Sequence, residues 1–327
     1  MPKPTLVSAA LSVPPPARLR AARALCRPMP PILAQRLREW VYPAGCAAVD
    51  RYAFIERAAT GSFLQSSTQD FHGYPFAVHG YYEWRNVALS MAFCGPGDTI
   101  VEVGANVGTE TVSFADVVSP GGRVVAFEPN PANLKSLQLT ARLNPGRTVD
   151  LFSDAVAQEC GMLQFALPPD AHSTGIGHLT KETSAHLNTI EVNCVTLDSL
   201  ESRLSRVNMI FMDVEGAEPL VLRGARTLIA RHRPPIVLES EPRWLARAGS
   251  SPKALISELQ ALSYIPYKMG RFGVSPIGPA DLQRPQNWLC LHASQSKKVA
   301  LASRYILRCA LMPCLPGWNP LCRQPTA

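Results

Sequence analysis

A glycine-containing segment between two buried strands constrains the fold of this chain more than any other feature. Thr99–Val103 has the residues of a buried strand and runs directly into Gly104. Gly108 then opens a helical stretch, and a second buried strand ends in Glu128. A strand, a glycine turn, a helix and a strand ending in an acid is the arrangement by which a doubly wound sheet holds a nucleoside. The acid is placed to accept hydrogen bonds from both ribose hydroxyls.

The spacing of the two glycines distinguishes between nucleoside ligands. A dinucleotide-binding loop reads G-x-G-x-x-G, so that a helix N-terminus faces a pyrophosphate. Three residues separate Gly104 from Gly108, and Thr109 stands where another small residue is expected. Glycine lets a backbone approach a ligand closely because it lacks a Cβ atom. The segment resembles motif I of the class I S-adenosylmethionine-dependent methyltransferases, whose cofactor has no phosphate.

Strand and helix patterns alternate along most of the chain. Strands are predicted at residues 99–103, 123–128, 149–153, 208–213, 235–240, 264–268 and 287–293. Helices are predicted at residues 108–118, 131–143, 216–231 and 252–262. This alternation indicates an α/β fold, a Rossmann-like doubly wound sheet of seven strands, mostly parallel, with helices on both faces. No helix separates the last two strands, so we expect the last strand to be antiparallel.

Accessory regions flank the alternating pattern. Residues 1–50 form a lead rich in Pro and Arg, and we expect its first part to be irregular or disordered. Residues 51–98 are mixed and aromatic, with short strands expected around Phe63 and at Phe76–His79, and are predicted to form a cap or lid. Residues 297–327 form a basic C-terminal tail.

The central domain is predicted to span residues 99–296 and to bind the cofactor. Within it, residues 154–207 interrupt the alternation with two strand-like runs around a loop rich in Ser, Thr and Gly. An insertion of this size beside a ligand site is a good place for substrate recognition. His172 and His178 flank the loop and are candidates for orienting an acceptor.

Positive charge is concentrated at the two ends of the chain. Of the formal net charge of +7, residues 1–40 carry +6 and residues 297–327 carry +5, which leaves −4 for residues 41–296. An acidic folded body argues against nucleic acid as a partner. The basic ends could contact an anionic membrane surface weakly, and solvated termini are the alternative.

Cysteine usage and hydropathy predict a cytoplasmic protein. The nine cysteines show no C-x-x-C spacing, which is typical of reduced thiols. No apolar run approaches the roughly 20 residues that a membrane span needs, so no transmembrane segment is expected. The apolar run Leu6–Val13 is short and ends at three prolines, which argues against a signal peptide.

Acidic residues follow two later strands. The buried pattern Met209–Met212 delivers Asp213 and Glu215 at its carboxyl end, and the next strand delivers Glu239. Ligands of open α/β sheets bind at this edge, so we expect the three carboxylates to converge. Their repulsion and partial burial would raise at least one pKa toward neutrality.

Taken together, these segments resemble the FkbM family of methyltransferases over about residues 75–270. The motifs that carry the resemblance are Val101–Gly108, Phe127–Asn130, Val192–Asp198, Met212–Glu218, Val221–Ala225 and Arg233–Glu239. The block Asp-Val-Glu-Gly-Ala-Glu is the most diagnostic. Two positions depart from the usual pattern, because Glu102 replaces an Asp and Met212 replaces a common Lys.

The resemblance implies S-adenosylmethionine as cofactor and O-methylation of a sugar, polyketide or related small molecule or glycan. The enzyme would align a hydroxyl with the S–CH3 bond while a carboxylate removes its proton. Asp213, Glu215 and Glu239 are the candidate catalytic bases. Asp213 and Glu239 would also suit Mg²⁺, although we expect no metal.

The predicted cofactor-binding residues surround the glycine loop and the acidic strand ends. They are Glu83, Glu102, Gly104, Ala105, Asn106, Gly108, Glu128, Pro129, Asn130, Asp154 and Asp213. Glu83 matches a family position near the methionine end of the cofactor. Asp154 could accept a hydrogen bond from the adenine amino group.

Two other functions use the same kind of sheet. One is an NAD-dependent oxidoreductase, which the glycine spacing disfavours. The other is a non-catalytic protein that binds a nucleoside cofactor, which the acids at both strand ends disfavour. The identity of the acceptor and the oligomeric state are left open.

Overall fold

The computed structural model describes residues 13–170, 174–180 and 188–322. Its α-helices are α1 (Ala17–Cys26), α2 (Pro31–Val41), α3 (Ala44–Asp50), α4 (Gly73–His79), α5 (Trp84–Phe93), α6 (Thr111–Val118), α7 (Pro131–Leu143), α8 (Glu218–Arg223), α9 (Arg226–His232), α10 (Pro242–Arg247), α11 (Pro252–Ala261) and α12 (Lys298–Leu311). Its strands are β1 (Ala53–Arg57), β2 (Phe63–Ser67), β3 (Thr99–Val103), β4 (Arg123–Phe127), β5 (Thr148–Phe152), β6 (Ala155–Val156), β7 (Gly161–Ala166), β8 (His178–Thr180), β9 (Thr189–Val195), β10 (Met209–Met212), β11 (Ile236–Ser240), β12 (Tyr264–Met269), β13 (Val274–Pro276) and β14 (Gln286–His292).

One large mixed sheet organises the molecule, in the order β13-β12-β14-β11-β10-β3-β4-β5. Strands β5, β4, β3, β10 and β11 run parallel, and β14 is antiparallel to both of its neighbours. The α/β prediction and the antiparallel last strand are therefore confirmed. The predicted number of seven strands is wrong, because β13 adds an eighth at the edge beside β12. A turn closed by the Gly270 N–H donating to the Gly273 carbonyl at 2.8 Å folds this strand back.

Helices cover both faces of this sheet. Ile100 on β3 joins an apolar cluster on one face, where it is buried with Trp84, Phe114 and Ile306 from the covering helices. The next residue, Val101, joins the cluster on the other face, which is covered by α8, α9 and α11. This alternation is what the period-2 geometry of a strand requires.

The predicted helix at residues 216–231 is divided into α8 and α9. The chain bends at Gly224, where a Cβ atom would overlap the carbonyl oxygen of Ala157. Asp198 then accepts hydrogen bonds from the N–H groups of Thr227 and Leu228, at 3.0 and 2.8 Å. These bonds satisfy two of the free donors at the start of α9, so a second helix begins there.

Residues before the sheet are more ordered than predicted. The expectation of an irregular lead is wrong for α1, whose Arg23 forms an ion pair with Glu56 at 2.6 Å. The Nε atoms of Arg23 and Arg27 donate to the carbonyls of Ala77 and Val78, at 2.8 and 3.0 Å. Those carbonyls belong to the last turn of α4, which replaces the strand expected at Phe76–His79.

The 154–207 insertion contains a second, four-stranded sheet in the order β6-β9-β7-β8. The two predicted strand-like runs are its β7 and β9, which pair in antiparallel register. At the C-terminal end, α12 packs on α5 and lies beside α2. Within the described part of the chain, no helix is long and apolar enough to cross a membrane.

Candidate active site

One large pocket lies at the carboxyl ends of the central strands. It holds about 1150 Å³ of empty space, part of which is open to solvent. Its walls combine residues that follow β3, β4 and β10 with residues from the cap and from the insertion sheet. This is the edge at which open α/β sheets bind their ligands.

The glycine loop after β3 forms the floor of this pocket. Gly104, Asn106 and Gly108 all have positive φ angles, of 85°, 50° and 93°. A Cβ atom on Gly104 would overlap the carbonyl oxygen of Asp213, and one on Gly108 would lie 2.5 Å from Leu137 Cδ1. The prediction that these glycines make room for a ligand is therefore corrected. They allow the loop to turn and to pack against protein.

Glu128 lies at one side of the pocket and is held by the backbone. Its Oε2 accepts from the Asn106 N–H at 2.7 Å, and its Oε1 accepts from the Asn130 N–H at 2.9 Å. Burial raises the pKa of Glu128 to about 7, against the lowering effect of these two bonds. A hydrogen bond with the Asn133 side chain also lowers this pKa. A carboxylate offers about four lone-pair sites, so the side chain keeps acceptor capacity for a ligand.

Three carboxylates converge at the other side of the pocket. Met212 pairs with Leu238 in the parallel register of β10 and β11, so Asp213 and Glu239 come next on neighbouring strands. Glu215 joins them, and its own backbone has a φ of 49°. One oxygen of each of the three acids lies within 4.8 Å of the others. We call Asp213, Glu215 and Glu239 the carboxylate cluster.

The members of this cluster compete for protons. The charge of Asp213, followed by burial, raises the pKa of Glu239 to about 10. Burial, followed by the charge of Asp213, raises the pKa of Glu215 to about 9. Burial also raises the pKa of Asp213, whereas His72 and a hydrogen bond with Glu239 oppose that rise. The hydrogen bond between Asp213 and Glu239 lowers the pKa of Asp213 and raises the pKa of Glu239, so it favours an ionised Asp213 beside a protonated Glu239.

The model of the family described as "Methyltransferase FkbM domain" matches residues 102–266, which is half of the chain. This chain belongs to the FkbM methyltransferase family. The hexuronic acid methyltransferase AglP of Haloferax volcanii is 30% identical over 128 residues, 39% of this chain and 49% of that protein. The match thus spans about half the length of this curated relative.

Two solved structures are remotely similar to this FkbM methyltransferase. An FkbM methyltransferase from Methylobacillus flagellatus is 15% identical with a TM-score of 0.41, covering 83% of this chain and 58% of its own. Fibrillarin of Aeropyrum pernix in complex with S-adenosyl-L-methionine is 16% identical with a TM-score of 0.36, covering 60% of this chain and 67% of its own.

Most of the residues predicted from the sequence line the pocket of this methyltransferase. Those at the pocket wall are Glu83, Gly104, Ala105, Asn106, Glu128, Pro129, Asp154, Asp213, Glu215 and Glu239. Arg85 forms an ion pair with Glu83 at 2.9 Å. Asn193 Nδ2 donates a hydrogen bond to Asp154, which ties the pocket wall to β9.

Three predicted cofactor-binding residues do not line the pocket. Glu102 is 1% exposed within β3, and Gly108 packs under α7. The side chain of Asn130 caps α7 by accepting from the Ala132 N–H at 3.0 Å. These residues shape the pocket from behind, and the geometry gives no support to direct ligand contact.

Glu110 and His72 are two of the pocket residues that sequence reasoning missed in this methyltransferase. Glu110 is buried, accepts from Thr109 Oγ1 at 2.6 Å, and has an Oε1 atom without a partner among the described residues. Burial raises its pKa to about 8. Its place in the first turn after the glycine loop was the available signal. His72 had no such signal, because the cap brings it over the loop from outside the matched domain.

His72 is fixed from several directions. Its Nδ1 lies 2.9 Å from Asn106 Nδ2, and its ring stands edge-on to Tyr82 with 4.4 Å between centroids. His178 also lines the pocket, where its ring lies 5.1 Å from that of Trp244. His172, the other predicted acceptor-orienting residue, lies outside the described residues.

Proposed function

We propose that this FkbM methyltransferase transfers a methyl group from S-adenosylmethionine to a hydroxyl of a sugar, polyketide or related small molecule or glycan. One observation carries the proposal. A single pocket has a backbone-held carboxylate at one side and a proton-sharing carboxylate cluster at the other. The first suits a ribose, and the second suits a hydroxyl that must lose its proton.

The pocket chemistry fits this cofactor. Glu128 keeps acceptor capacity for a ribose hydroxyl, and Asp154 offers an acceptor for an adenine amino group. The described lining of the pocket contains no Lys or Arg. It contains seven carboxylates, which belong to Glu83, Glu110, Glu128, Asp154, Asp213, Glu215 and Glu239. S-adenosylmethionine carries an ammonium, a sulfonium and one carboxylate, so its net charge is positive, and when bound it supplies an electrophilic methyl group. Positive ligand charge would stabilise the ionised acids.

The carboxylate cluster supports proton removal from the acceptor. We propose Asp213 as the residue that accepts the hydroxyl proton, because it follows β10 at the centre of the cluster and its hydrogen bond with Glu239 favours its ionised form. Glu239 and Glu215 would hold Asp213 in place and share the proton after transfer. Positioning and proton removal by such groups contribute roughly 10²–10⁴-fold to rates.

The same three acids are the only group of metal-ligating side chains within the described ranges that could hold a cation together. Mg²⁺ is bound by such hard oxygen ligands. We propose that the reaction needs no metal. Chelation with EDTA should leave turnover unchanged, and restoration of a lost activity by Mg²⁺ would overturn this part of the proposal.

A neutral sugar fits the cluster better than an acidic one. The relative AglP is named for a hexuronic acid, which supports a sugar acceptor. However, a carboxylate on the acceptor would face the three acids Asp213, Glu215 and Glu239, and like charges repel. We therefore expect neutral hexoses to be methylated in preference to hexuronates, with the cap of residues 51–98 and the 154–207 insertion shaping the acceptor side.

Isothermal calorimetry followed by a transfer assay tests the proposal. The purified chain should bind S-adenosylmethionine, and a methyl-labelled cofactor should label a glycoside hydroxyl. Binding of NAD in place of S-adenosylmethionine would favour the oxidoreductase alternative. Cofactor binding without label transfer to any neutral or acidic glycan would favour the non-catalytic alternative. We retain a cytoplasmic location and the absence of a nucleic acid partner as proposals.

A further inference from the structure

Helix α12 presents a mixed basic and apolar stripe to solvent. Arg304, Leu307, Arg308 and Leu311 are exposed at helical spacing, and Leu311 is 53% exposed. The opposite face is fully buried in the apolar cluster below it, through Ala302, Ile306, Cys309 and Ala310. Docking on the fold therefore fixes the orientation of α12 and leaves this stripe outward.

Exposed apolar side chains also occur on the segments that lie beside α12. Past α12, Leu315 and Trp318 are exposed, the latter by 60%. The Cys314 N–H donates to the Pro28 carbonyl at 3.1 Å, which ties this segment to the turn before α2. On α2, exposed side chains recur at i, i+3 and i+7, and one of them, Trp40, is 89% exposed. We call these side chains the basic apolar face: Leu33, Arg36, Trp40, Arg304, Leu307, Arg308, Leu311, Leu315 and Trp318.

The charge of this face has one sign. Residues 297–327 contain no acidic residue, and Glu39 is the single acid of α2. Contiguous exposed apolar side chains are unusual on soluble monomers and mark interaction surfaces. Tryptophan with neighbouring Arg is the composition found where a protein meets lipid headgroups.

We propose that the basic apolar face binds the surface of an anionic lipid bilayer, with α12 lying in the plane of the interface. Apolar side chains would enter the headgroup region while the arginines contact lipid phosphates or carboxylates. A two-fold contact with a second copy would bring Arg36, Arg304 and Arg308 against their own equivalents. Nucleic acid would leave Trp40, Leu311 and Trp318 in water. The bilayer surface satisfies both components of the face.

Vesicle flotation with the full chain tests this proposal. The chain should float with phosphatidylcholine vesicles that contain phosphatidylserine, and should remain unbound with phosphatidylcholine alone. The double variant Arg304→Gln/Arg308→Gln should weaken binding by roughly 30-fold, because each basic residue near an anionic surface contributes to binding. The double variant Leu311→Ser/Trp318→Ser should abolish flotation.

Matched variants elsewhere on the surface control for loss of charge or apolar area. Arg142→Gln/Arg284→Gln removes two exposed arginines, and Met162→Ser removes an exposed apolar side chain from β7. Both should float as the unmodified chain does, and all variants should keep its circular dichroism melting curve. The proposal is overturned if the unmodified chain does not float, or if the controls lose binding equally. It is also overturned if sedimentation equilibrium shows a dimer that the α12 variants dissociate.

Discussion

The two sides of the pocket treat buried carboxylates in opposite ways. Glu128 is compensated by two backbone N–H groups, one to each oxygen. Asp213, Glu215 and Glu239 lie beside one another instead, and the charge of Asp213, together with burial, raises the pKa values of Glu215 and Glu239. The difference shows that burial alone does not set the role of an acid. Glu128 is held as a hydrogen-bond acceptor, whereas we propose that the cluster exchanges protons.

The backbone explains this contrast. The glycine loop turns through left-handed residues and aims the Asn106 N–H at Glu128, while the start of α7 aims the Asn130 N–H. At the cluster, parallel strand register places Asp213 beside Glu239 without any such donor. We therefore expect substitutions on the two sides to affect different steps of the reaction.

The largest expected effect is on turnover, from Asp213→Asn. Removal of the proposed proton acceptor should lower kcat by about 10²–10⁴-fold, because the amide cannot accept the hydroxyl proton. Initial rates with saturating cofactor measure this loss. Asp150→Asn, on the exposed strand β5, is the matched control and should retain full turnover. A reduction of kcat below tenfold would contradict the proton-accepting role.

Glu128→Gln should act on cofactor affinity. The amide group would face a backbone N–H and lose one charge-assisted bond, which costs about 1.5–3 kcal/mol. Calorimetry should show Kd for S-adenosylmethionine rising by roughly 10- to 100-fold, with kcat at saturation changed little. If Glu239→Gln raises Kd as much as Glu128→Gln does, the division between the two sides fails.

The stability of the ligand-free protein should fall as pH rises. Glu128, Glu215 and Glu239 have pKa values of about 7, 9 and 10, above the ordinary 4.5. The folded state therefore binds more protons than the unfolded state. The resulting contribution to the free energy of unfolding is fully present below about pH 4.5 and is lost progressively as the pH rises to about 10. Denaturant titration of Glu239→Gln should show a flatter decline, with a gain on the order of 1 kcal/mol at alkaline pH. An equally steep decline in the variant would show that the carboxylates of the cluster do not repel one another.

The smallest expected effect comes from Arg85→Gln. This change removes the cation beside Glu83, which lines the pocket. A partly exposed ion pair contributes about 0.2–1 kcal/mol, so binding of a cationic cofactor should tighten by no more than about fivefold. Calorimetry measures the change. Weaker binding in the variant would argue against a preference of the pocket for cations.

Local patterns were sufficient for much of the fold. Thr99–Val103 and Pro131–Leu143 match their predicted bounds, because a buried strand and a Pro-initiated helix carry strong short-range signals. The strand at Val274–Pro276 was not predictable, since three residues show no alternation. The break at Gly224 was also missed, because it depends on the distant carbonyl of Ala157.

The residues of the candidate site were likewise predictable only in part. Glu128, Asp213 and Glu239 were recognisable because each follows a buried strand whose carboxyl end faces ligands in this fold. His72 comes from a cap helix region that the pattern did not resolve, and only packing brings it to Asn106. The reason for the glycines also changed, since Asp213 and Leu137 occupy the space beside them.

By itself the sequence determined where the functional residues lie along the chain. A glycine turn follows one strand, an acid ends the next strand, and three acids follow two later strands. These features depend on neighbouring residues and on the period of strands and helices. Only the tertiary structure decided that Asp213, Glu215 and Glu239 lie beside one another, while backbone N–H groups hold Glu128. That outcome depends on register, burial and backbone N–H direction, which are properties of residues brought together from distant parts of the chain.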